Sequence, residues 1–321
     1  MTTRREFLRV SGGCVAHVML MSACATRSAR ARWTAPANPT VVTTPFARLD
    51  AIAADTWAVI STPLGGDRTT FANGGIIAGR SGVIAVEGFY RTGGAQWLAE
   101  RARELTGRWP THVVLTHYHV DHASGVSGYA SATKPQLRAT TATRDLALGG
   151  GPVAPPRDDA LVRSFADIVI VNADRQSEID LGNRRVSLVP LSGHTRSDVA
   201  LVDHDARVTF TGDLMWNGMF PNFVDATPTR LSVSIRQLAQ RSNHAFVPGH
   251  GAMANGTSVT RYIDLLEHLE SAARIGRTAG KSAVETAAGY AVPKSLGEWM
   301  ASRTGLERAM TAWYRELDAA R

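Results

Sequence analysis

Cysteine is almost absent from this sequence. The 321 residues include only Cys14 and Cys24, and both lie within the first 32 positions. The remaining chain therefore has no disulfide bond, no thiolate ligand for a metal ion and no cysteine nucleophile. Any metal site in that part of the chain must be built from histidine and carboxylate side chains.

Most of the chain also lacks a strong excess of charge. The formal net charge is +7 at pH 7, but the first 32 residues hold six arginines against one glutamate, a charge of +5, which leaves +2 for all the others. Proteins that bind nucleic acid through its phosphates normally carry a concentrated basic surface. We therefore expect no nucleic-acid partner.

The first 32 residues have the composition of a targeting segment. Arg4 and Arg5 precede a weakly apolar stretch that ends at Ala23-Cys24-Ala25. This stretch is shorter than the about 20 apolar residues that a membrane-spanning helix needs. The pattern resembles a twin-arginine export signal, which implies the twin-arginine export machinery as a partner and a periplasmic or exported location.

Two kinds of processing fit the end of this segment. Leu20 to Cys24 resembles a lipobox, in which a lipid on Cys24 would anchor the protein to a membrane as a lipoprotein. Ala23-Cys24-Ala25 also fits ordinary cleavage after Ala25. Both alternatives remain open at the level of the sequence.

The rest of the chain predicts a linker and one α/β domain. Residues 33–46 are rich in Pro, Thr and Ala and are assigned to the linker, and residues 47–321 are assigned to the domain. Short apolar runs predict strands over 56–60, 75–78, 82–86, 112–115, 185–191, 199–202 and 208–211, and amphipathic spacing predicts helices over 94–107, 230–241, 259–274 and 296–320. Two halves, each of strands followed by helices, indicate a four-layer αββα sandwich.

Three histidines and an aspartate are concentrated directly after the strand predicted at 112–115. They are His117, His119, Asp121 and His122 in the run THYHVDH. In an extended backbone alternate side chains share one face, so His117, His119 and Asp121 can converge while His122 points elsewhere. One ion cannot take all four, but two neighbouring ions can, with the first two histidines on one and Asp121 and His122 on the other.

Three further candidate ligands follow later apolar strands. His194 in SGHT, Asp213 in TGDL and His250 in PGHG each stand beside a glycine, which permits a tight turn at the end of a strand. Together with the first cluster they resemble, in order, the HxHxDH, H, D, H pattern of the metallo-β-lactamase superfamily. That resemblance implies an αββα fold of the metallo-β-lactamase type with two zinc ions at one edge.

The resemblance also implies a role for each residue of the pattern. It implies that His117, His119 and His194 bind the first zinc, that Asp121, His122 and His250 bind the second, and that Asp213 bridges both. Iron or manganese would also accept such nitrogen and oxygen ligands. Bridging aspartates are common in the thioesterase, lactonase and phosphodiesterase members, including hydroxyacylglutathione hydrolase, whereas the true β-lactamases have another residue there.

The expected activity is that of an exported binuclear zinc hydrolase. Two divalent ions would lower the pKa of a shared water to about 7 and so provide a bridging hydroxide, which would attack a small-molecule ester, thioester or lactone. Asp121 is the expected catalytic residue, since it would orient this hydroxide. Three alternatives are an iron oxidoreductase of the persulfide dioxygenase type, a β-lactamase-like amide hydrolase, and a metal-binding lipoprotein without activity.

Five other residues are candidates for supporting roles. Asp198 is expected either to accept the second ring N–H of His194 or to be a simple turn residue, and Glu87 either to support the ligand loops or to be solvated. The segment 214–223 is strongly apolar for a loop. Trp216, Phe220 and Phe223 within it are expected either to form one wall of a substrate pocket or to pack inside the domain.

Overall fold

The computed structural model describes residues 39–62, 66–131 and 134–319. The chain divides into two units, residues 1–32 and residues 33–321, and every described residue lies in the second unit. The predicted export residues Arg4 and Arg5 and the predicted lipidation site Cys24 lie outside the described residues. No helix within the described ranges is both long and apolar enough to cross a membrane.

The first sheet has eight strands that follow one another in chain order. They are β1 (Thr40–Thr43), β2 (Ala47–Ala53), β3 (Thr56–Ser61), β4 (Gly74–Ala78), β5 (Val83–Val86), β6 (His112–Val114), β7 (Gln136–Thr140) and β8 (Val169–Val171). Strands β1 to β5 pair antiparallel, and β5 to β8 pair parallel. Because β3, β5 and β6 run in the same direction, their carboxyl ends meet at one edge of the sheet.

The second sheet has five strands in the order β13-β12-β11-β10-β9. They are β9 (Ser177–Asp180), β10 (Arg185–Leu191), β11 (Asp198–Asp203), β12 (Val208–Asn217) and β13 (Ala245–Gly251). Strands β9 to β12 pair antiparallel, whereas β12 and β13 are parallel. The last two strands therefore also end at a common edge.

The helices lie mostly between and after the strands of each half. They are α1 (Thr92–Thr106), α2 (Val120–Ala123), α3 (Thr141–Gly149), α4 (Asp159–Ser164), α5 (Pro228–Ala239), α6 (Gly256–Thr278), α7 (Ala283–Ala288) and α8 (Arg303–Ala319), with 3-10 turns at Val126–Ser131 and Lys294–Leu296. Helix α1 ends at Gly107, whose φ of +72° is the left-handed conformation that glycine adopts most easily.

Three apolar cores separate the layers of the fold. One contains α1 and one face of the first sheet, one lies between the two sheets, and one contains the second sheet with α5, α6 and α8. Neighbouring residues of a strand alternate between cores: Ile76 packs towards the helices and Ile77 packs between the sheets. This arrangement confirms the predicted four-layer αββα sandwich.

The structure corrects three element boundaries. Strand β1 lies inside the predicted linker 33–46, because its Thr-Val-Val-Thr run has high β-propensity and pairs with β2. Strand β12 was predicted to end at 211 but continues to Asn217, since its second half pairs with β13. The helix predicted over 296–320 is instead a 3-10 turn followed by α8.

Candidate metal centre

The histidine motif spans the connection between β6 and α2. His117 and His119 lie in the loop, whereas Asp121 and His122 belong to the single turn of α2. The alternation expected for an extended backbone therefore ends at His119, whose ψ of 150° is the last extended value before the helix. The start of α2 is what turns Asp121 and His122 together towards a second group of ligands.

All seven predicted ligands are brought together in two groups at the edge where the strands end. His117, His119, His194 and Asp213 form the first group, and Asp121, His122 and His250 form the second. Within each group the potential ligand atoms all lie within 4.8 Å of one another. The separation of His117 and His119 from Asp121 and His122 is the one that their spacing predicted, and His194 and His250 lie in the groups that the resemblance implied.

Asp213 lies between the two groups. Its Oδ2 is 3.2 Å from Nε2 of His194 and 3.9 Å from Nε2 of His117. Its Oδ1 is 3.2 Å from Nε2 of His122 and 3.5 Å from Nε2 of His250. Each carboxylate oxygen therefore faces the histidines of one group, and the pairing of β12 with β13 is irregular on both sides of the preceding Gly212.

The buried donor atoms fit divalent metal ions. Nε2 of His117, His122 and His250 and Oδ1 of Asp213 are buried without a hydrogen-bond partner among the described residues. Such unpaired polar atoms are costly unless another partner satisfies them. Imidazole nitrogens together with carboxylate oxygens are ligands that zinc, iron and manganese accept. The cluster is a His/Asp metal site.

The electrostatics divide the ligands by charge. Burial lowers the pKa of His194 to about 3, and burial together with the neighbouring His122 holds the pKa of His117 well below its usual range. Both imidazoles are therefore neutral at pH 7, the form that binds metal. Burial alone would lower the pKa of His122, but the carboxylates of Asp213, Glu87 and Asp121 raise it well above its ordinary value. This excess of negative charge favours a cation in the second group.

Three histidines of the cluster have a polar oxygen beside a ring nitrogen. Nδ1 of His117 lies 3.0 Å from Oγ1 of Thr116, and Nε2 of His119 lies 3.0 Å from Oδ1 of Asp225. Nδ1 of His122 lies 3.1 Å from Oε1 of Glu87. Partners of this kind fix the orientation and the protonated nitrogen of a ligating imidazole.

Glu87 is buried beneath the ligand loops. Its Oε1 accepts a hydrogen bond from Oγ1 of Thr116 at 2.6 Å, and its backbone carbonyl accepts one from the hydroxyl of Tyr129 at 2.8 Å. Its backbone is left-handed, with a φ of +81°. For a residue other than glycine this conformation is about 1–2 kcal/mol less favourable than the ordinary ones. The observed contacts match the supporting role predicted for Glu87 and exclude a solvated position.

The hypothesis that Asp198 holds the imidazole of His194 is wrong. Oδ2 of Asp198 accepts the backbone N–H of His194 at 3.1 Å, and its Oδ1 accepts the hydroxyl of Thr195 at 2.7 Å. Nδ1 of His194 is buried without a hydrogen-bond partner among the described residues. Asp198 therefore shapes the main chain of the turn that carries His194, because both of its carboxylate oxygens accept hydrogen bonds from that turn.

Asn73 holds the loop of His250 in place. Its Nδ2 donates to the carbonyls of Pro248 and Gly251, both at 2.9 Å, and its backbone N–H donates to the carbonyl of Gly249 at 2.8 Å. Its Oδ1 accepts the backbone N–H of Ser61 at 2.9 Å. The residue thus connects the carboxyl end of β3 to the turn on both sides of His250.

All three predicted pocket residues are buried and belong to one core. Trp216 lies against the ring of His250, with ring centroids 4.0 Å apart and planes tilted by 30°. Phe220 and Phe223 are buried in the core that the second sheet shares with α5, α6 and α8. The packing matches the alternative in which the three side chains lie inside the domain, because this core takes the apolar side chains at the end of β12 and after it.

Sequence reasoning missed three residues that position the ligands. Asp225, Thr116 and Asn73 contact ligand side chains or their loops, as described above. Thr116 directly precedes His117, and this adjacency was the only available signal. Asp225 and Asn73 are far from their partners in the chain, so no spacing rule could have found them.

Comparisons with known proteins agree with this geometry. The profile of the Metallo-beta-lactamase superfamily matches residues 76–266, which is more than half of the chain. A hydroxyacylglutathione hydrolase from Cereibacter sphaeroides is 28% identical over 142 residues, covering 44% of this chain and 46% of that protein. An acyl-coenzyme A thioesterase from Gallus gallus is 25% identical over 160 residues, covering 45% of this chain and 57% of that protein.

The similarity to these two relatives is confined to part of each protein, since the chain spans about half of their length. Among solved structures, an inverting sec-alkylsulfatase from Pseudomonas sp. superposes with a TM-score of 0.66 at 16% identity, covering 84% of this chain and 50% of that one. At this identity the likeness concerns the fold alone. The family profile, the αββα fold and the His/Asp metal site together show that this chain belongs to the metallo-β-lactamase superfamily.

Proposed function

We propose that the protein is a binuclear metal-dependent hydrolase of thioesters, with esters and lactones as related substrates. One observation carries this proposal: the two carboxylate oxygens of Asp213 face two separate groups of ligands. A single metal ion would need only one of these groups. A protein that merely stores metal would need no carboxylate shared between two ions.

Zinc is the metal that we propose for both positions, because the family resemblance implies zinc and the two compact groups of nitrogen and oxygen donors accept it. Two bound zinc ions would lower the pKa of a shared water to about 7 and so supply a hydroxide nucleophile at neutral pH. The chain itself contributes the placement of the donors. Glu87, Thr116 and Asp225 hold three of the imidazoles in the orientation that the ions require.

Asp121 is the residue that we propose to handle the proton of the attacking water. Its Oδ2 lies 3.1 Å from Nε2 of His250, and its side chain is 13% exposed, whereas the histidines of its group are fully buried. Nearby His122 and His250 outweigh burial and lower the pKa of this carboxyl to about 2. It is therefore ionised at neutral pH and able to accept a hydrogen bond from water.

The proposed reaction consumes one water for each bond cleaved. The water oxygen forms a bond to the acyl carbon, and the bond from that carbon to sulfur or oxygen breaks. The leaving group departs with the electron pair and takes one proton, and the other proton is released from the carboxylic acid product. The name of the thioesterase relative and the bridging aspartate both support a thioester as the preferred substrate.

We also propose that the protein is exported by the twin-arginine machinery. This proposal rests on Arg4, Arg5 and the apolar stretch that follows them. That pathway carries folded proteins, which suits a domain that needs its metals in place. Mass spectrometry of the mature amino terminus tests it. A chain that begins at a lipid-bearing Cys24 or at Thr26 supports export. A chain that keeps Met1 and is found only in the cytoplasmic fraction of the cells contradicts it.

Metal analysis followed by a substrate panel tests the main proposal. The purified protein is analysed for metals without added ions and then assayed on matched thioester, ester, lactone and β-lactam substrates. About two zinc ions per chain and the highest kcat/KM on a thioester are expected, with activity lost on chelation and restored by zinc. One iron per chain together with oxygen consumption on a persulfide would instead identify the oxidoreductase alternative.

Replacement of Asp121 tests the assignment of the proton acceptor. An Asp121→Asn variant keeps the size of the side chain but loses its charge, so we expect kcat to fall by about 100-fold or more. The bound metal must be counted in the same preparation. A variant with two metals and full turnover would show that another group accepts the proton.

A further inference from the structure

We propose that a cavity beside His250 binds the apolar acyl chain of the substrate. This inference names a substrate class for the activity proposed above and rests on that activity. The cavity has a volume of about 420 Å³, within the usual range for small-molecule sites. Its walls come from the end of β3, the turn after β12, the turn after β13 and the segment before α8.

The position of the cavity relates it to the metal centre. Two residues that line the cavity are adjacent in sequence to the metal site. Gly251 directly follows His250, and Asn217 directly follows Trp216, which packs on the His250 ring. Ser61 contributes from the carboxyl end of β3, the same edge at which β5 and β6 deliver Glu87 and the histidine motif. A substrate with its acyl carbon at the ligands could therefore extend its chain along this edge.

The lining of the cavity favours an aliphatic group. Ile60, Met219 and Met300 contribute its large apolar side chains, and no carboxylate or histidine lines it among the described residues. Methionine side chains are flexible and polarisable, so they adapt to chains of different shape. Arg48 is the only charged residue of the lining, and its guanidinium is paired with Asp50 at 2.7 Å.

Hydrogen bonds between groups of the walls hold the cavity in shape. Nδ2 of Asn217 donates to the carbonyls of Ala252 and Met253 at 3.1 Å and 3.0 Å. The backbone N–H of Met300 donates to the carbonyl of Gly218 at 3.0 Å. Gly251 has a φ of +88°, and a Cβ there would lie 1.9 Å from the carbonyl oxygen of Asn217. The cavity is therefore preformed, which reduces the entropic cost of binding a chain.

A chain-length series tests the inference. Thioesters of one thiol with acetyl, butyryl, hexanoyl and octanoyl groups differ only in the number of methylenes. Burial of each methylene contributes about 0.8 kcal/mol, which corresponds to about a fourfold rise in kcat/KM per methylene. We expect such a rise until the cavity is filled, followed by a plateau.

Variants of two exposed wall residues locate the effect. Ala252→Phe fills the cavity from an exposed position, and Met300→Ser removes apolar surface from another exposed position. Each variant should reduce the ratio of the octanoyl to the acetyl kcat/KM by at least 10-fold. Ala288→Phe is the matched control, because Ala288 is exposed in α7 and does not line the cavity, so its ratio should equal that of the unaltered protein.

The outcomes separate this inference from the proposed function. Hydrolysis of the acetyl thioester without a rise along the series, or a rise that persists in Ala252→Phe, would overturn the acyl cavity while leaving the hydrolase proposal intact. If no thioester is hydrolysed, calorimetric titration with octanoate decides the cavity independently. Binding by the unaltered protein and by Ala288→Phe, but not by Ala252→Phe, supports it, and equal binding or no binding by all three contradicts it.

Discussion

Replacement of Asn73 by alanine should weaken both the fold and one half of the metal centre. The side chain is 2% exposed and makes three hydrogen bonds, two to the carbonyls around His250 and one from the N–H of Ser61. Each such bond contributes about 0.5–1.5 kcal/mol to stability, and the groups left behind would be buried without a partner. We therefore expect the free energy of unfolding to fall by about 2–4 kcal/mol, which a domain of this size can survive.

The same substitution should act selectively on metal binding. Asn73 contacts the loop of His250 and none of the ligands in the group of His117, His119 and His194. Loss of a residue that orients a ligand typically weakens metal affinity by about 10- to 100-fold. The proposed ion at Asp121, His122 and His250 should therefore dissociate first.

Urea unfolding of the metal-free protein and zinc titration of the refolded protein measure the two effects separately. Asn183→Ala is the matched control, since Oδ1 of this exposed asparagine accepts a single hydrogen bond, from the N–H of Arg80 at 2.6 Å. It should cost less than about 1 kcal/mol and leave both zinc affinities unchanged. If Asn73→Ala were as stable as Asn183→Ala and bound two zinc ions equally tightly, the proposed role of Asn73 would be refuted.

Three further predictions concern other contacts. Glu87→Gln removes the negative charge beside Nδ1 of His122 and should weaken binding of the second zinc by about 10- to 100-fold in chelator competition, whereas unchanged affinity would contradict this role. Gly249→Ala would place a Cβ 1.9 Å from Oδ1 of Asp213, so elemental analysis should find less bound metal in this variant. Gly149→Ala is the control, because its Cβ would meet nothing within 4 Å, and it should bind as much metal as the unaltered protein. Equal metal contents in the two variants would contradict the predicted clash. Burial lowers the pKa of His244 to about 4, so the unfolded chain binds more protons than the folded chain between about pH 6.5 and pH 4. Through His244 the free energy of unfolding should therefore not change above pH 6.5 and should fall by about 1–3 kcal/mol as the pH drops from 6.5 to 4. His244→Asn should lose less stability than the unaltered protein in urea unfolding at pH 7.5 and pH 4.5, and an equal loss would assign the pH dependence elsewhere.

The sequence predicted the ligands better than their surroundings because ligand chemistry is local. HxHxDH places four donors within six residues, and His194, Asp213 and His250 each stand beside a glycine in a short, recognisable stretch. The apolar runs before them predicted strands. In the structure Asp213 and His250 lie within strands β12 and β13, and the other five side chains follow the carboxyl ends of strands. No knowledge of distant parts of the chain was needed for these predictions.

The pocket residues show where local reasoning failed. Trp216, Phe220 and Phe223 are similar in a sequence, since each is a large apolar side chain after an apolar strand. Only the packing of α5, α6 and α8 on the second sheet determines that all three enter one core and that Trp216 also contacts the ring of His250. The neighbouring Met219 instead faces the cavity proposed for the acyl chain.

The sequence by itself determined the class of fold, the composition of the metal site and the separation of His117 and His119 from Asp121 and His122, because strand periodicity and ligand spacing are short-range properties. The grouping of His194, Asp213 and His250 came from the family resemblance. Tertiary structure alone decided how those ligands are held. Asn73 reaches His250 across 177 positions of chain and Asp225 reaches His119 across 106, through contacts that exist only once the two sheets have packed together. Glu87 adopts a left-handed backbone for the same reason: its burial against His122 and Thr116 compensates a local cost that no residue pattern reveals.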